Sequence, residues 1–111
     1  MPINRHLQRS IMFDKSHTIE SIGNKAFYEC GNLGSMDLRN VTVIGDWAFC
    51  GCKNLSSVAS LEKVTTIGAE VFYDCENLRS VDLRNVTEIG DGAFYCCENL
   101  RSVGSLEKVN T

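Results

Sequence analysis

Cysteine is the residue type of this chain best suited to chemistry, and four of the six cysteines recur with a fixed period. They stand 22, 23 and 22 residues apart, at Cys30, Cys52, Cys75 and Cys97. Zinc and thiol redox sites use close pairs such as Cys-x₂₋₄-Cys, and the only close pairs in the sequence are Cys50-Gly51-Cys52 and Cys96-Cys97. The spacing therefore predicts a buried column of reduced thiols that act as small hydrophobic side chains. A metal or redox module built on Cys50 and Cys96 stays an alternative.

The other residues that could carry catalysis form no known arrangement. Both histidines, His6 and His17, precede the repeats described below, and neither adjoins a nucleophile motif. The sequence has no G-x-S-x-G, H-E-x-x-H or Walker motif, which are the short motifs with a catalytic or phosphate-binding mechanism. We therefore predict that the chain is not an enzyme and has no cofactor or metal.

Charge and hydropathy exclude two further classes of partner. The formal net charge is -3 and the pI is about 5.3, whereas nucleic-acid binding depends on clustered Lys and Arg. No apolar stretch approaches the roughly 20 residues of a membrane span, so membrane insertion is not expected. Residues 1–13 lack the apolar core of a secretory signal, and the sequence itself leaves the localisation open.

The elements that would position these residues follow from an internal repeat. Ile-Gly recurs at Ile22, Ile44, Ile67 and Ile89, and each copy continues with the same order of Phe, Cys, Leu and Val positions. A period near 22 is typical of a solenoid, in which each unit packs on its neighbours. We divide the chain into an N-terminal segment, 1–21, that could form a degenerate capping rung, and four repeats: 22–43, 44–66, 67–88 and 89–111.

Two periodicities alternate within each repeat. Leu33-x-x-Met36-x-Leu38 ends in a period-two stretch, which predicts a short strand. Ile44 to Leu55 has the apolar spacing of a short helix or 3-10 turn, which Asp46 could cap, and the Gly of Ile-Gly suits a sharp turn or a positive φ. The predicted fold is an α/β solenoid with a parallel strand ladder on one face and short helical or 3-10 turns on the other.

A longer period covers the short one. Residues 22–66 and 67–111 are identical at 30 of 45 positions, which indicates duplication of a two-repeat unit. The order Leu33-x-x-Met36-x-Leu38-x-x-Val41-x-x-Ile44-Gly45-x-x-Ala48-Phe49-x-x-Cys52 resembles the BspA-type leucine-rich repeat of bacterial and protist surface proteins. The resemblance covers residues 22–111. It implies a leucine-rich-repeat solenoid that binds proteins or host-cell ligands, at the cell surface or after secretion.

The strand face that points away from the core is the usual binding surface of a solenoid. The candidate protein-binding residues on it are Asp37, Arg39, Ala59, Glu62, Asp82, Arg84 and Glu107. Trp47 stands in a column that otherwise holds Lys25, Glu70 and Gly92, and it is a candidate exposed anchor unless its ring lies across a neighbouring turn. Tyr28, Tyr73 and Tyr95 share a column with Cys50 and are expected to pack edge-on.

These features predict a non-enzymatic leucine-rich-repeat scaffold that binds a protein, as a segment of a surface or secreted adhesin. The alternative is a structural spacer within a longer protein, without a ligand of its own. The strand near Val103 to Leu106 is predicted to be an exposed edge, and such an edge invites end-to-end self-association through an uncapped C-terminal repeat.

Overall fold

The computed structural model describes residues 10–11, 19–59 and 61–103, and for residues 10, 11, 59 and 102 only the backbone. Short strands carry the regular structure of these residues: β1 (Ser10–Ile11), β2 (Ser21–Ile22), β3 (Ser35–Asp37), β4 (Val43–Ile44), β5 (Ser57–Ala59), β6 (Thr66–Ile67), β7 (Ser80–Val81), β8 (Glu88–Ile89) and β9 (Ser102–Val103). No helix in the described ranges has the length and apolar character that a membrane crossing requires.

The strands form two parallel ladders that run along the solenoid. One sheet has the order β1-β3-β5-β7-β9 and the other β2-β4-β6-β8. In the first, Met36 pairs with Val58 and Val81 with Val103, so equivalent positions of successive repeats lie side by side. The predicted parallel ladder is confirmed, whereas the second ladder was not predicted. Its strands are two residues long, too short to show a period-two pattern.

The side opposite the first ladder differs in detail from the prediction, because the described residues there form hydrogen-bonded turns and no helix. Alternate amides stay within the turn, as when the Tyr28 N–H donates to the Lys25 oxygen at 3.1 Å. The amides between them reach the next repeat, as when the Phe27 N–H donates to the Ala48 oxygen at 2.8 Å. A helix would use these amides internally. The turns instead leave every second amide to join neighbouring rungs, where a rung is one repeat of the solenoid.

The turns require positive φ at non-glycine residues. Lys25, Trp47 and Glu70 occupy the same position in three rungs and have φ of 59°, 58° and 52°. Each is the third residue of a four-residue turn, the position at which a type II turn requires positive φ. Their side chains consequently leave the backbone at equivalent angles, one above the next.

The apolar skeleton read from the sequence forms the core. Phe27, Phe49, Phe72 and Phe94 stack face to face, with ring centroids 5.3, 5.7 and 5.4 Å apart. None of the described polar or charged side chains is buried. Outside the core, an asparagine column links the rungs, for the Asn77 amide donates to the Lys53 oxygen at 2.9 Å. The apolar columns therefore hold the fold, and the charged side chains lie at its surface.

At the Ile-Gly pair, the positive φ that was one alternative for the glycine is not found, and the cap predicted for Asp46 was wrong. Gly68 has no positive φ. Among the described glycines, only Gly51 and Gly92 have one. Instead, a Cβ added at Gly68 would lie 2.8 Å from the Asp46 nitrogen of the preceding rung. Asp46 does not cap its own turn either, because its Oδ1 accepts from the Ala69 N–H at 2.9 Å. The roles of Gly68 and Asp46 both depend on how closely two rungs approach each other, and the sequence of a single repeat does not show that distance.

Candidate functional site

The periodic cysteines lie in the core, as their spacing predicts. Cys30, Cys52 and Cys75 are buried and unbridged, and Cys97 is half-buried. Thiols of this column donate hydrogen bonds to backbone oxygens of the preceding rung. The Cys75 Sγ donates to the Phe49 oxygen at 3.1 Å, and the Cys97 Sγ donates to the Phe72 oxygen at 3.0 Å. Burial raises the pKa of Cys75 far above its usual range and that of Cys97 to about 11. Since the thiolate is the nucleophile and metal ligand, the burial of these thiols favours a structural role for the column.

The candidate metal module receives no support from geometry. Cys50 is buried whereas Cys96 is exposed. Within the described ranges, His, Cys, Asp and Glu form no group of three or more that could hold a metal ion.

The charged strand-face residues pair with one another along the chain. Arg39 Nη2 lies 2.6 Å from Asp37 Oδ2, and the Arg39 N–H donates to the other carboxylate oxygen at 3.1 Å. Arg84 repeats this arrangement, with Nε 2.8 Å from Asp82 Oδ2. Hydrogen bonding to the Arg84 guanidinium lowers the pKa of Asp82. The structure thus forms two like ion pairs, one at β3 and one just after β7, separated by the β5 strand.

The structure describes the other strand-face candidates to different extents. Ala59 lies in β5 beside Asp37 in the ladder, and its side chain is outside the description. Glu62 is exposed, in the turn that follows β5. Glu107 and residues 104–106 of the predicted self-association edge lie outside the described residues, and Val103 beside them is 42% exposed. The ion pairs are therefore the best-defined part of this face.

A separate pocket opens on the turn side of the solenoid. We call it the turn-face pocket; it has a volume of about 330 Å³ and is lined by Lys25, Tyr28, Trp47, Cys50, Glu70 and Tyr73. The candidate anchor Trp47 lies in its wall, half-buried rather than fully exposed. The Lys25 Nζ lies 5.2 Å from the Trp47 ring centroid and 5.7 Å from the Tyr28 ring centroid. These are cation–π distances, so the aromatic walls already hold a positive charge.

The pocket exists because one aromatic ring is missing from a column. Equivalent turn positions hold Tyr28, Cys50, Tyr73 and Tyr95. Tyr73 and Tyr95 stack with centroids 5.3 Å apart and planes at 27°, so edge-on packing was wrong for this pair. Cys50 puts a thiol where the column elsewhere has a phenol, which leaves a gap between Tyr28 and Tyr73. Burial raises the pKa of the Cys50 thiol, and the Glu70 carboxylate raises it further.

Sequence reasoning did not identify this pocket. It placed Cys50 in the tyrosine column and singled out Trp47, but it did not connect the two observations. Lys25 and Glu70 were noted only as neighbours of Trp47 in its column. The available signal was the substitution of a small residue for an aromatic one in an otherwise constant column.

The comparison with protein families agrees with this geometry. A family model described as the BspA type leucine-rich repeat region matches residues 8–111 in six copies. The chain belongs to the BspA-type leucine-rich repeat family. The six copies begin within the N-terminal segment, where β1 of this BspA-type chain pairs with β3. The division of residues 22–111 into four repeats stays a prediction.

Solved structures of similar proteins share the BspA-type fold. A leucine-rich repeat protein from Bacteroides ovatus is 27% identical with a TM-score of 0.76, over 92% of this chain and 32% of its own. A leucine-rich cell surface protein from Faecalibacterium prausnitzii is 35% identical with a TM-score of 0.74, over 82% of this chain and 26% of its own. A T. pallidum leucine-rich repeat protein, 21% identical with a TM-score of 0.62 over 93% of this chain and 71% of its own, shows the fold alone.

The BspA-type chain spans about a third or less of the first two similar structures. A search of curated proteins returns no match. The family and the fold are thus established for this chain, and its partner has to be argued from its surface.

Proposed function

We propose that this BspA-type segment is a non-enzymatic scaffold that binds a protein, as part of a surface or secreted adhesin. The observation that carries the proposal is the strand face, on which a parallel ladder presents two like Asp–Arg pairs. Similarity to a protein described as a leucine-rich cell surface protein supports the location. The protonated thiol column and the paired strand-face carboxylates support a role without catalysis.

The spacing of the pairs suits a repetitive or extended partner. Asp37–Arg39 and Asp82–Arg84 are two strands apart, which is roughly 10 Å at about 4.8 Å per strand. Each pair presents one carboxylate and one guanidinium, so a partner with complementary charges could bind both at once. Such charges contribute chiefly to specificity and to the rate of association. Ala59 and Glu62, between the pairs, belong to the same proposed face.

A structural spacer is the second candidate, and one observation favours it. Each charge of the two Asp–Arg pairs already has an opposite charge within its own strand segment. The pairs also recur unchanged after duplication, whereas a surface shaped for one partner commonly diversifies. The segment would then set a distance within a longer protein and bind nothing through this face.

The two candidates are separated by a variant that removes the pairs without changing net charge. Asp37, Arg39, Asp82 and Arg84 are all replaced by Ser, which deletes two negative and two positive charges. The matched control replaces Lys53 and Glu76 by Ser, because their side chains also form an ion pair, at 3.5 Å, and removing one charge of each sign leaves the net charge unchanged.

Each protein is immobilised, exposed to solubilised surface proteins of candidate host cells, and the retained proteins are quantified. The scaffold proposal expects a set of proteins retained by the unaltered chain and the control, and lost from the strand-face variant. Equal retention by all three would show that binding does not use this face. Retention no greater than on the bare matrix, for all three, would favour the spacer.

A further inference from the structure

We propose that the turn-face pocket binds the guanidinium group of an arginine side chain presented by a partner protein. The proposal concerns the side of the solenoid opposite the Asp–Arg pairs and does not rest on the strand-face function. It follows from the shape of the gap at Cys50, from the cation already held there, and from the charge around it.

The gap has the dimensions of one planar group. Tyr28 and Tyr73 are two rungs apart, so their rings are separated by roughly 10 Å at about 4.8 Å per rung. Rings of adjacent rungs in this column stack at 5.3 Å, as Tyr73 and Tyr95 do. A flat group inserted above Cys50 would therefore lie at stacking distance from both tyrosines. The floor beneath it is the Cys50 side chain, which is only 8% exposed.

The chemistry of the walls favours a positive charge. The Lys25 ammonium lies over the rings of both Trp47 and Tyr28, which shows that their faces are positioned to receive a cation. Burial is the largest cause of the raised pKa of the Cys50 thiol, and three carboxylates add to it: Glu70, Glu29 and Asp74. Glu70 is also part of the pocket lining. The negative charge of these carboxylates would not stabilise a neutral or an anionic ligand.

Guanidinium satisfies shape and charge together. It is planar, stacks on aromatic faces, and presents a fork of N–H donors that matches a carboxylate such as Glu70. An ammonium group is compact and more strongly hydrated, and it cannot fill a slot between two rings. Lys25 is exposed, so its flexible side chain can move into solvent when an arginine enters.

Trp47 gives a direct readout, since it is the only tryptophan of the chain and it lines the pocket. N-acetyl-argininamide is titrated into the protein while Trp47 fluorescence is followed with selective excitation. N-acetyl-lysinamide and N-acetyl-tyrosinamide are titrated in parallel. We expect a saturable change with the arginine probe, in the millimolar range that a single side chain can reach, and at least tenfold weaker responses to the other two.

Two variants test the site itself. Cys50→Tyr restores the missing ring and is expected to weaken arginine binding at least tenfold, whereas the matched control Cys96→Tyr, at an exposed position outside the pocket, leaves it unchanged. Glu70→Gln removes the carboxylate that is proposed to pair with the guanidinium, and it is expected to weaken arginine binding at least fivefold. Glu70→Gln keeps the proposal testable if Cys50→Tyr fails to fold, which circular dichroism would show.

Three results would overturn the proposal. One is an arginine response that is the same in the folded Cys50→Tyr protein, because the probe would then quench Trp47 elsewhere. Another is binding that is unaffected by Glu70→Gln. The third is tighter binding of the tyrosine probe, which would make the gap an aromatic slot. None of these results bears on retention by the strand face, so the two proposals fail independently.

Discussion

Replacement of Gly68 by Ala tests whether close contact between rungs determines the Ile-Gly position. The new Cβ would lie 2.8 Å from the Asp46 nitrogen and 3.0 Å from the Gly45 carbonyl carbon. Both are backbone atoms of the preceding rung, so the contact cannot be relieved by rotating a side chain. The Asp46 carboxylate, which binds the Ala69 N–H, is also displaced. The two rungs must therefore separate locally.

The expected cost has two parts. Overpacking in a tight interior typically destabilises by about 1–3 kcal/mol, and loss of the Asp46–Ala69 hydrogen bond adds about 1 kcal/mol. We expect the free energy of unfolding to fall by about 3 kcal/mol. With a urea dependence of about 1.5 kcal/mol per molar, the unfolding midpoint would fall by about 2 M.

The chain offers a matched control in Gly23, the equivalent glycine of an earlier rung. A Cβ added there meets nothing within 4 Å, and Gly23 has no positive φ. Gly23→Ala should therefore leave stability unchanged or raise it by about 0.4–1 kcal/mol, since alanine restricts the unfolded chain. Urea unfolding is followed by Trp47 fluorescence and by circular dichroism. Equal midpoints for the two variants would refute the argument from close approach.

Three further predictions concern the stacked columns. Phe72→Ala should reduce the free energy of unfolding by about 3–5 kcal/mol, and by more than the same change at half-buried Phe94; equal urea midpoints would contradict this. Because the pKa of Cys97 is raised by burial to about 11 from 9.0, its contribution to stability is complete below pH 9 and is lost as the pH rises toward 11. Melting temperatures at pH 8 and 10.5 should therefore differ less in Cys97→Ala, and an unchanged difference would exclude this cause. Asn77→Ala should cost about 1 kcal/mol, measured against Asn77→Gln, because its amide donates to the Lys53 oxygen; no loss of stability on urea unfolding would show that this bond is dispensable.

The apolar skeleton predicted most of the fold because each of its positions has one environment in every rung. Met36 and Leu38 have the period-two spacing of a strand, although β3 itself ends at Asp37, and both are buried in the structure. The turns were harder to predict, because the apolar spacing of Ile44 to Leu55 fits a helix as well as a run of turns. The choice depends on whether an amide such as Phe27 N–H bonds within its own rung or to the next, and that is a property of the stack.

The candidate surfaces show the same division. Alternation along the strand predicted that Asp37 and Arg39 share one surface, and in the structure their side chains form an ion pair. The turn-face pocket depends on what the neighbouring rungs lack at Cys50, which no single repeat contains. Comparison down a column, from Tyr28 to Cys50 to Tyr73, is the reading of the sequence that would have found it.

In the part of the chain that the structure describes, equivalent residues of successive rungs lie in register, and the two halves of the sequence share 30 of 45 residues. Unequal recombination between them would insert or delete 45 residues, the length of each half, which adds or removes one complete two-rung unit. The molecule would lengthen by roughly 10 Å per event at about 4.8 Å per rung. The length of the solenoid is therefore a quantity that a single recombination event can change, without a new core sequence.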